Sequence, residues 1–255
     1  MLEKFRKAKQ PEIERLIRLE RIGGVPSKRL EPRPSFADAL AGKHGAVIAE
    51  YKRASPSKGE INLELTPESV AAAYAASGAA AISVLTEEVY FKGALNYLET
   101  MSRFKTPLLR KDFILHPLQV LETASTAASA LLLIVRMLPG DALRDLLDLT
   151  RAQGLDAVVE AFDEADLDRA QETGASIIQI NNRDLDKLTT DLGISERLIR
   201  KKRPGEIWIS ASGIFTRDEV NHMAGLGFEA VLVGTSLMAG GDPGAALAEL
   251  TGQSA

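Results

Sequence analysis

Five polar residues close apolar runs in this chain. Glu50 and Lys52 end VIAEYK (47–52), Lys111 lies near the end of PLLRKD (107–112), Glu160 of DAVVEA (156–161) and Asn181 of IIQINN (177–182). Side chains alternate along an extended segment, so Glu50 and Lys52 share a face. A packed interior holds an unpaired charge only at a cost of several kcal/mol. A rim salt bridge, Glu50 with Lys52 for example, accounts for one pair. It does not account for five such residues at matching positions. Two ammonium groups and two carboxylates close together shift one another's pKa and divide acid and base roles between them.

A second set of residues suits an anion. Ala211-Ser212-Gly213-Ile214 and Gly234-Thr235-Ser236 each place glycine just after an apolar run. Glycines there offer backbone N–H groups to a phosphate, although an ordinary tight turn explains either one alone. Residues 53–59 (RASPSKG) are basic, small and rich in breakers. They read as a mobile flap that carries charge to a ligand, or as a solvated loop. Aromatic residues make up only 5% of the chain, yet Phe91 and Phe113 follow two of the runs. They suit the wall of a pocket for an aromatic ring, with packing under loops as the other reading. Trp208 has the opposite parity to Ala211 and is expected to face a helix layer.

These residues need a scaffold that brings their run ends together. One unit recurs: a helix-like stretch, a glycine, then a short β-branched run. Gly78, Gly154, Gly174 and Gly227 occupy the glycine position, where a helix end favours a left-handed residue. The runs are apolar on both faces, as in strands of a buried parallel sheet. Eight candidate strands result, at 47–52, 81–86, 107–112, 130–135, 156–161, 177–182, 206–211 and 230–235, with starts 21 to 34 residues apart. Each gap holds one crossover helix and two loops. Thr66-Pro67, Asp163 and the capping box Thr216-Arg217-Asp218-Glu219 mark helix starts. The class is therefore α/β, and the architecture is a (β/α)8 TIM barrel with an N-terminal helical extension. The rival, an open doubly wound sheet, would normally carry G-x-G-x-x-G after an early strand, and the sequence has none. Residues 1–46 precede the first strand, with Ile13, Leu16, Ile17 and Leu19 at helical spacing and Pro26, Pro32 and Pro34 beyond. This extension is too short for a core of its own. It is expected to pack on the barrel, making 1–255 one domain.

Composition removes several chemistries. The 255 residues contain no cysteine, which excludes disulfides, thiolate metal sites, a cysteine nucleophile and cysteine-bound iron–sulfur clusters. His44, His116 and His222 are scattered, so no metal site is expected. The net charge, 31 − 35 = −4, lacks the basic footprint of a nucleic-acid binder. The most apolar stretch, 127–138, is interrupted by Ser129 and Arg136 and is too short to span a membrane. The first 20 residues are charged and amphipathic, unlike a signal peptide. A cytoplasmic location is expected.

Several segments resemble the indole-3-glycerol-phosphate synthases of tryptophan biosynthesis. The most specific is IAEYKRASPSKG (48–59). SVLT (83–86), LRKDFI (109–114), LLIV (132–135), INNRDL (180–185), SGI (212–214) and VGTSLM (233–238) are also similar. The resemblance implies a lyase without metal or organic cofactor. It closes the pyrrole ring of 1-(2-carboxyphenylamino)-1-deoxyribulose 5-phosphate, losing CO2 and water. It casts Lys111 as general acid and Glu160 as base. Lys52 holds the substrate carboxylate and assists proton transfer, Glu50 orients Lys52, and Asn181 and Ser212 position the substrate. Ser55, Arg183, Gly213, Gly234 and Thr235 take the phosphate, and Phe91 and Phe113 flank the anthranilate ring. The expected partner is this small molecule, with no nucleic acid or membrane, and the chain is expected to be a monomer. Two positions depart from the family pattern: Ala211 stands where a glutamate is usual, and Gln179 where a glycine is usual. Ala211 leaves open a phosphosugar-binding homologue with weakened turnover. A phosphoribosylanthranilate isomerase is the remaining alternative, against which the missing cysteine argues. One lysine acid and one glutamate base predict a bell-shaped pH dependence.

Overall fold

A computed structural model describes residues 1–184 and 189–253. Leu185, the last residue of the 180–185 motif, lies outside the described residues. The eight runs form strands β1 (Ala46–Tyr51), β2 (Ala81–Leu85), β3 (Leu108–Lys111), β4 (Ala130–Ile134), β5 (Asp156–Ala161), β6 (Ile177–Asn181), β7 (Ile207–Ala211) and β8 (Ala230–Val233). Each pairs in parallel with the next, and β8 returns to β1 to close a barrel. The expected boundaries hold to within two residues. The largest difference is at β8, where Gly234 turns out of the strand and Thr235 opens the helix Thr235–Ala239.

Alternation sorts the strand side chains into two layers. Ile48, Leu109, Leu132, Val158, Ile177, Ile209 and Leu232 fill the barrel interior. Val47, Val84, Leu133, Val159, Ile178, Trp208 and Val231 pack outward under the helices. Trp208 faces the helix layer, as its parity requires, with its ring centroid 6.1 Å from that of Phe228. Burying one such aliphatic side chain is worth about 1.5–3 kcal/mol, and this two-sided burial makes the runs largely apolar on both faces. The helix signals act locally. Thr66, Asp163 and Thr216 each accept a backbone N–H in the first turn of the helix that follows. Gly78, Gly154, Gly174 and Gly227 have φ of +81°, +71°, +77° and +105°, a region that only glycine enters without steric cost.

The first 45 residues touch both ends of the barrel. Helix α2 (Phe36–Leu40) plugs the N-terminal end, with Phe36 and Leu40 in the interior cluster and the Ala37 N–H donating to Asp156 at 3.0 Å. Helix α1 (Leu2–Arg21) lies against the helix Pro117–Ser125 that follows β3. The buried stripe of α1 differs from the expected one: Phe5, Lys9, Ile13 and Leu16 are buried, while Ile17 and Leu19 are half-buried. The shift has an electrostatic cause. Lys9 Nζ lies 2.8 Å from Asp112 Oδ1, and Arg110 lies 3.2 Å from each of Asp112, Glu12 and Glu122. Thr86 Oγ1 donates to Asp112 at 2.6 Å. This network clamps α1 to the residues on either side of Lys111.

Burial alone pushes the Asp112 carboxyl up, but Lys9 and Arg110 outweigh it and hold it at about 2. A carboxyl lowered by folding contributes stability above its ordinary pKa and loses it as pH falls towards the folded value. Removing one partner of a buried pair leaves a desolvated charge. Lys9→Met is therefore expected to lower unfolding free energy by about 3 kcal/mol at neutral pH, read by urea denaturation. Arg18→Ala, in an exposed pair with Glu14 at 4.0 Å, should change it by less than about 0.5 kcal/mol. Equal effects would contradict the clamp.

Candidate active site

Strand register converts sequence-distant residues into neighbours. Glu50 lies beside Ser83, Lys111 beside Leu85, Glu160 beside Gln179, and Asn181 beside Ala211. All are at the C-terminal ends of their strands, where the interior opens into a cavity. That cavity is lined by Glu50, Lys52, Lys111, Glu160, Asn181 and Ser212, and by Ser55, Phe91, Phe113, Arg183, Gly213, Gly234 and Thr235. Every candidate residue from the sequence therefore reaches one space.

Glu50 is the charge hub. Its Oε1 is 3.0 Å from Lys52 Nζ and its Oε2 is 3.5 Å from Lys111 Nζ. Ser83 Oγ donates to Oε2 at 3.1 Å. Burial would raise this carboxyl, but Lys111 and Lys52, with hydrogen bonds from Lys52 and Ser83, hold it at about 2. Glu160 behaves in the opposite way. Burial pushes its carboxyl above the ordinary range, and the nearby Lys111 and the amides of Gln179 and Asn181 offset this only in part. Both amides donate to the same oxygen, Oε2, with Asn181 Nδ2 at 3.2 Å. For Lys111, burial works against the ammonium, but Glu50 and Glu160 raise its pKa above the usual lysine value. The site thus holds a fixed anion, a retained ammonium and a second carboxylate with raised proton affinity.

The other side of the cavity is backbone-rich. Ser212 and Gly213 are consecutive left-handed residues, with φ +72° and +81°. Ser212 holds this sparsely populated conformation at a cost of order 1–3 kcal/mol. Asn182 pins the turn: its Nδ2 donates to the Ser212 carbonyl at 3.1 Å and to Ser210 Oγ at 3.0 Å, and its Oδ1 accepts from Ser195 N and Oγ. The Arg183 N–H donates to Asn181 Oδ1 at 3.0 Å. Residues 53–59 fold over the rim, with Ala54–Ser55 pairing antiparallel to Gly59–Glu60. Arg53 turns outward to the Tyr97 hydroxyl and the Leu63 carbonyl. Gly234 does more than offer an N–H. A Cβ there would lie 2.7 Å from Glu50 Oε1 and 3.0 Å from Glu50 Cβ.

The apolar wall includes residues that the sequence reading missed. Phe5 stacks on Phe113 with ring centroids 4.3 Å apart, and Phe91 lies 6.2 Å from Phe113. Met1, Leu2 and Phe5 of the N-terminal extension line the same cavity. The signal was present, since Phe5 lies one helical step before Lys9 in the stripe that continues to Ile13 and Leu16. Glu87 was also missed. Its carboxylate accepts the N–H groups of Val89, Tyr90 and Phe91 at 2.7–3.0 Å, fixing the turn that presents Phe91. Among the described residues, no group of three or more His, Asp or Glu is placed to hold a metal ion.

A closed parallel barrel with paired ammonium and carboxylate groups at its C-terminal mouth defines a (β/α)8-barrel enzyme. Comparison with known proteins narrows this class. The family model described as indole-3-glycerol phosphate synthase matches residues 2–250. The chain is 44% identical to the indole-3-glycerol phosphate synthase of Desulfosudis oleivorans over 222 residues, covering 85% of this chain and 84% of that one. It is 45% identical to the enzyme of that name from Dehalococcoides mccartyi over 219 residues, covering 84% and 85%. The chain belongs to the indole-3-glycerol phosphate synthase family, the carboxy-lyases of tryptophan biosynthesis. Among solved structures it is similar to a 3-hexulose-6-phosphate synthase (TM-score 0.65, 15% identity, 82% of this chain and 100% of that one). It is also similar to a tryptophan synthase α-subunit mutant from Pyrococcus furiosus (TM-score 0.62, 14% identity, 82% and 99%). These two likenesses concern the fold alone.

The close approach at Gly234 generates a test. Gly234→Ala should displace Glu50, and with it both ammonium groups, lowering kcat/KM by about a hundredfold without removing an ionisable group. Steady-state kinetics checks this, and wild-type kcat/KM in a folded variant would contradict it.

Proposed function

We propose that Lys111 and Glu160 are the acid and base with which this chain converts 1-(2-carboxyphenylamino)-1-deoxyribulose 5-phosphate into indole-3-glycerol phosphate, CO2 and water. The opposite displacement of two glutamates on either side of one lysine supports this reading most strongly. The anthranilate ring rests against Phe91 and Phe113. The phosphate lies towards Ser55, Arg183, Gly213, Gly234 and Thr235. This orientation puts the sugar ketone between the ends, beside Lys111.

The chemistry follows from that placement. The ring carbon bearing the carboxylate attacks the ketone carbon, and electrons move onto the ketone oxygen. Lys111, charged and poorly hydrated, stabilises the developing alkoxide and gives it a proton. Lys52 holds the substrate carboxylate until the C–C bond to CO2 breaks and aromaticity returns. Glu50 stays ionised and keeps the two ammonium groups in place. In the last step Lys52, released from the departed CO2, gives a proton to the hydroxyl, which leaves as water, while Glu160 takes the proton lost from the adjacent ring carbon as the pyrrole double bond forms. Asn181 and Ser212 align the sugar chain. A carboxyl with raised pKa suits Glu160 to receive that proton.

The reading with weakened turnover rests on Ala211. Gln179 and Asn181 nevertheless give Glu160 two donors, which supports an active base. The absence of cysteine favours the synthase over the isomerase. The proposal further has the chain act as a monomer in the cytoplasm on a free small molecule. The net charge of −4 supports the absence of a nucleic-acid partner.

Indole fluorescence follows product directly. Lys111→Ala and Glu160→Gln should each lower kcat by about a hundredfold or more, and full activity in either would remove that residue's role. Loss of the Glu160 proton on raising pH creates the base, so the acid limb of kcat/KM should lie above the ordinary carboxylate range. Loss of the Lys111 proton removes the acid, and its raised pKa puts the alkaline limb above the ordinary lysine range. The bell expected from the sequence thus broadens into a neutral plateau, and an acid limb in the ordinary carboxylate range would count against this assignment of Glu160.

A further inference from the structure

Gln179 is a primary amide inside an apolar layer. It is fully buried, one inward-facing step below Asn181 on β6, with Ile209 as its partner on β7 and Glu160 as its partner on β5. Its Nε2 donates to Glu160 Oε2. Its Oε1 is buried and has no hydrogen-bond partner among the described residues. An unpaired buried acceptor costs stability, and a hydrocarbon of the same length would avoid that cost. Among the described residues, the one polar contact the side chain makes is with Glu160.

We propose that Gln179 is a positioning residue that holds Glu160 as a carboxylate, with one oxygen tied up and the other free for the substrate proton. Towards the carboxylate, Nε2–H donates to Oε2, as observed. No atom leaves or joins Gln179; the proton moves only between substrate and Glu160. In the ionised state both amides converge on Oε2, and Glu160 Oε1 accepts no hydrogen bond among the described residues. That oxygen is the one left for the substrate proton.

The charged groups facing Glu160 are Lys111 on β3 and Glu50 with Lys52 at the end of β1. Its β4 neighbour is Ile134, and Arg183 and Asp112 line the cavity beyond. All of these remain when Gln179 is replaced. The Gln179 hydrogen bond favours the ionised carboxyl, so losing it raises the Glu160 pKa.

The inference rests on Glu160 being the base, and the experiment separates the two claims. The pH dependence of kcat/KM is measured for the parent enzyme, Gln179→Met and Gln179→Glu, with Glu160→Gln as reference. Gln179→Met keeps length and removes both donor and acceptor. Its acid limb should move up by about one pH unit, with the alkaline limb fixed and KM within about twofold of the parent. Gln179→Glu sets a second carboxyl against Glu160 and should move the acid limb further up, since the pair then shares a proton. An acid limb that stays in place in a folded variant, or a loss of kcat that is uniform across pH, overturns the proposal. Gln179→Glu keeps the shape and decides the question if Gln179→Met does not fold. Full activity in Glu160→Gln would instead remove the base itself. An inactive Glu160→Gln with unmoved limbs in the Gln179 variants removes the role of Gln179 alone.

Discussion

A single buried carboxylate between two ammonium groups holds the site together. Glu50 is 3% exposed and bridges Lys52 and Lys111 through its two oxygens. Without it, two like charges would share a low-dielectric space, and Lys111 would lose an anion that raises its proton affinity. The bridge needs closure of the barrel, because β1 must lie between β8 and β2. Closure brings Ser83 alongside Glu50 on one side and the bare backbone of Gly234 against it on the other.

The same charge arrangement makes two chemically identical residues different. Glu50 faces two cations directly and stays ionised. Glu160, equally buried, sits among amides and apolar strands, close enough to Lys111 to be attracted to it but not enough to offset burial. Lys111 stands between them and gains proton affinity from both. Its own position is fixed from outside the barrel, since its chain neighbours Arg110 and Asp112 are clamped to Glu12 and Lys9 of the N-terminal helix. The extension therefore links fold stability to the placement of the catalytic face, while Phe5 supplies part of the apolar wall.

Much of this was legible in the sequence. The strands could be read because both faces of a parallel barrel are buried, which leaves nearly continuous apolar runs, four of them with a helix-ending glycine before them. Lys111, Glu160 and Asn181 stood out because charge and amide interrupt those runs at equivalent positions. What could not be read depends on register and on contacts across the barrel. Parity put Gln179 and Asn181 on one face, but only the offset between β5 and β6 brings Gln179 to Glu160. Gly234 looked like an anion donor, and its tight approach to Glu50 needed three dimensions. Of the four apolar residues read for the N-terminal helix, Ile13 and Leu16 are buried while Ile17 and Leu19 are half-buried, because the stripe runs instead through Phe5 and Lys9. A buried Lys9 breaks an apolar pattern, and its partner Asp112 lies about a hundred residues away in the sequence.

The central claim is that one barrel mouth drives Glu50 and Glu160 in opposite directions. Carbon-13 NMR of the glutamate side-chain carboxyls, assigned with Glu50→Gln and Glu160→Gln, tests this most directly. Glu160 should titrate above the ordinary carboxylate range while Glu50 stays ionised for as long as the fold persists in acid. Two glutamates titrating together within that ordinary range would contradict it.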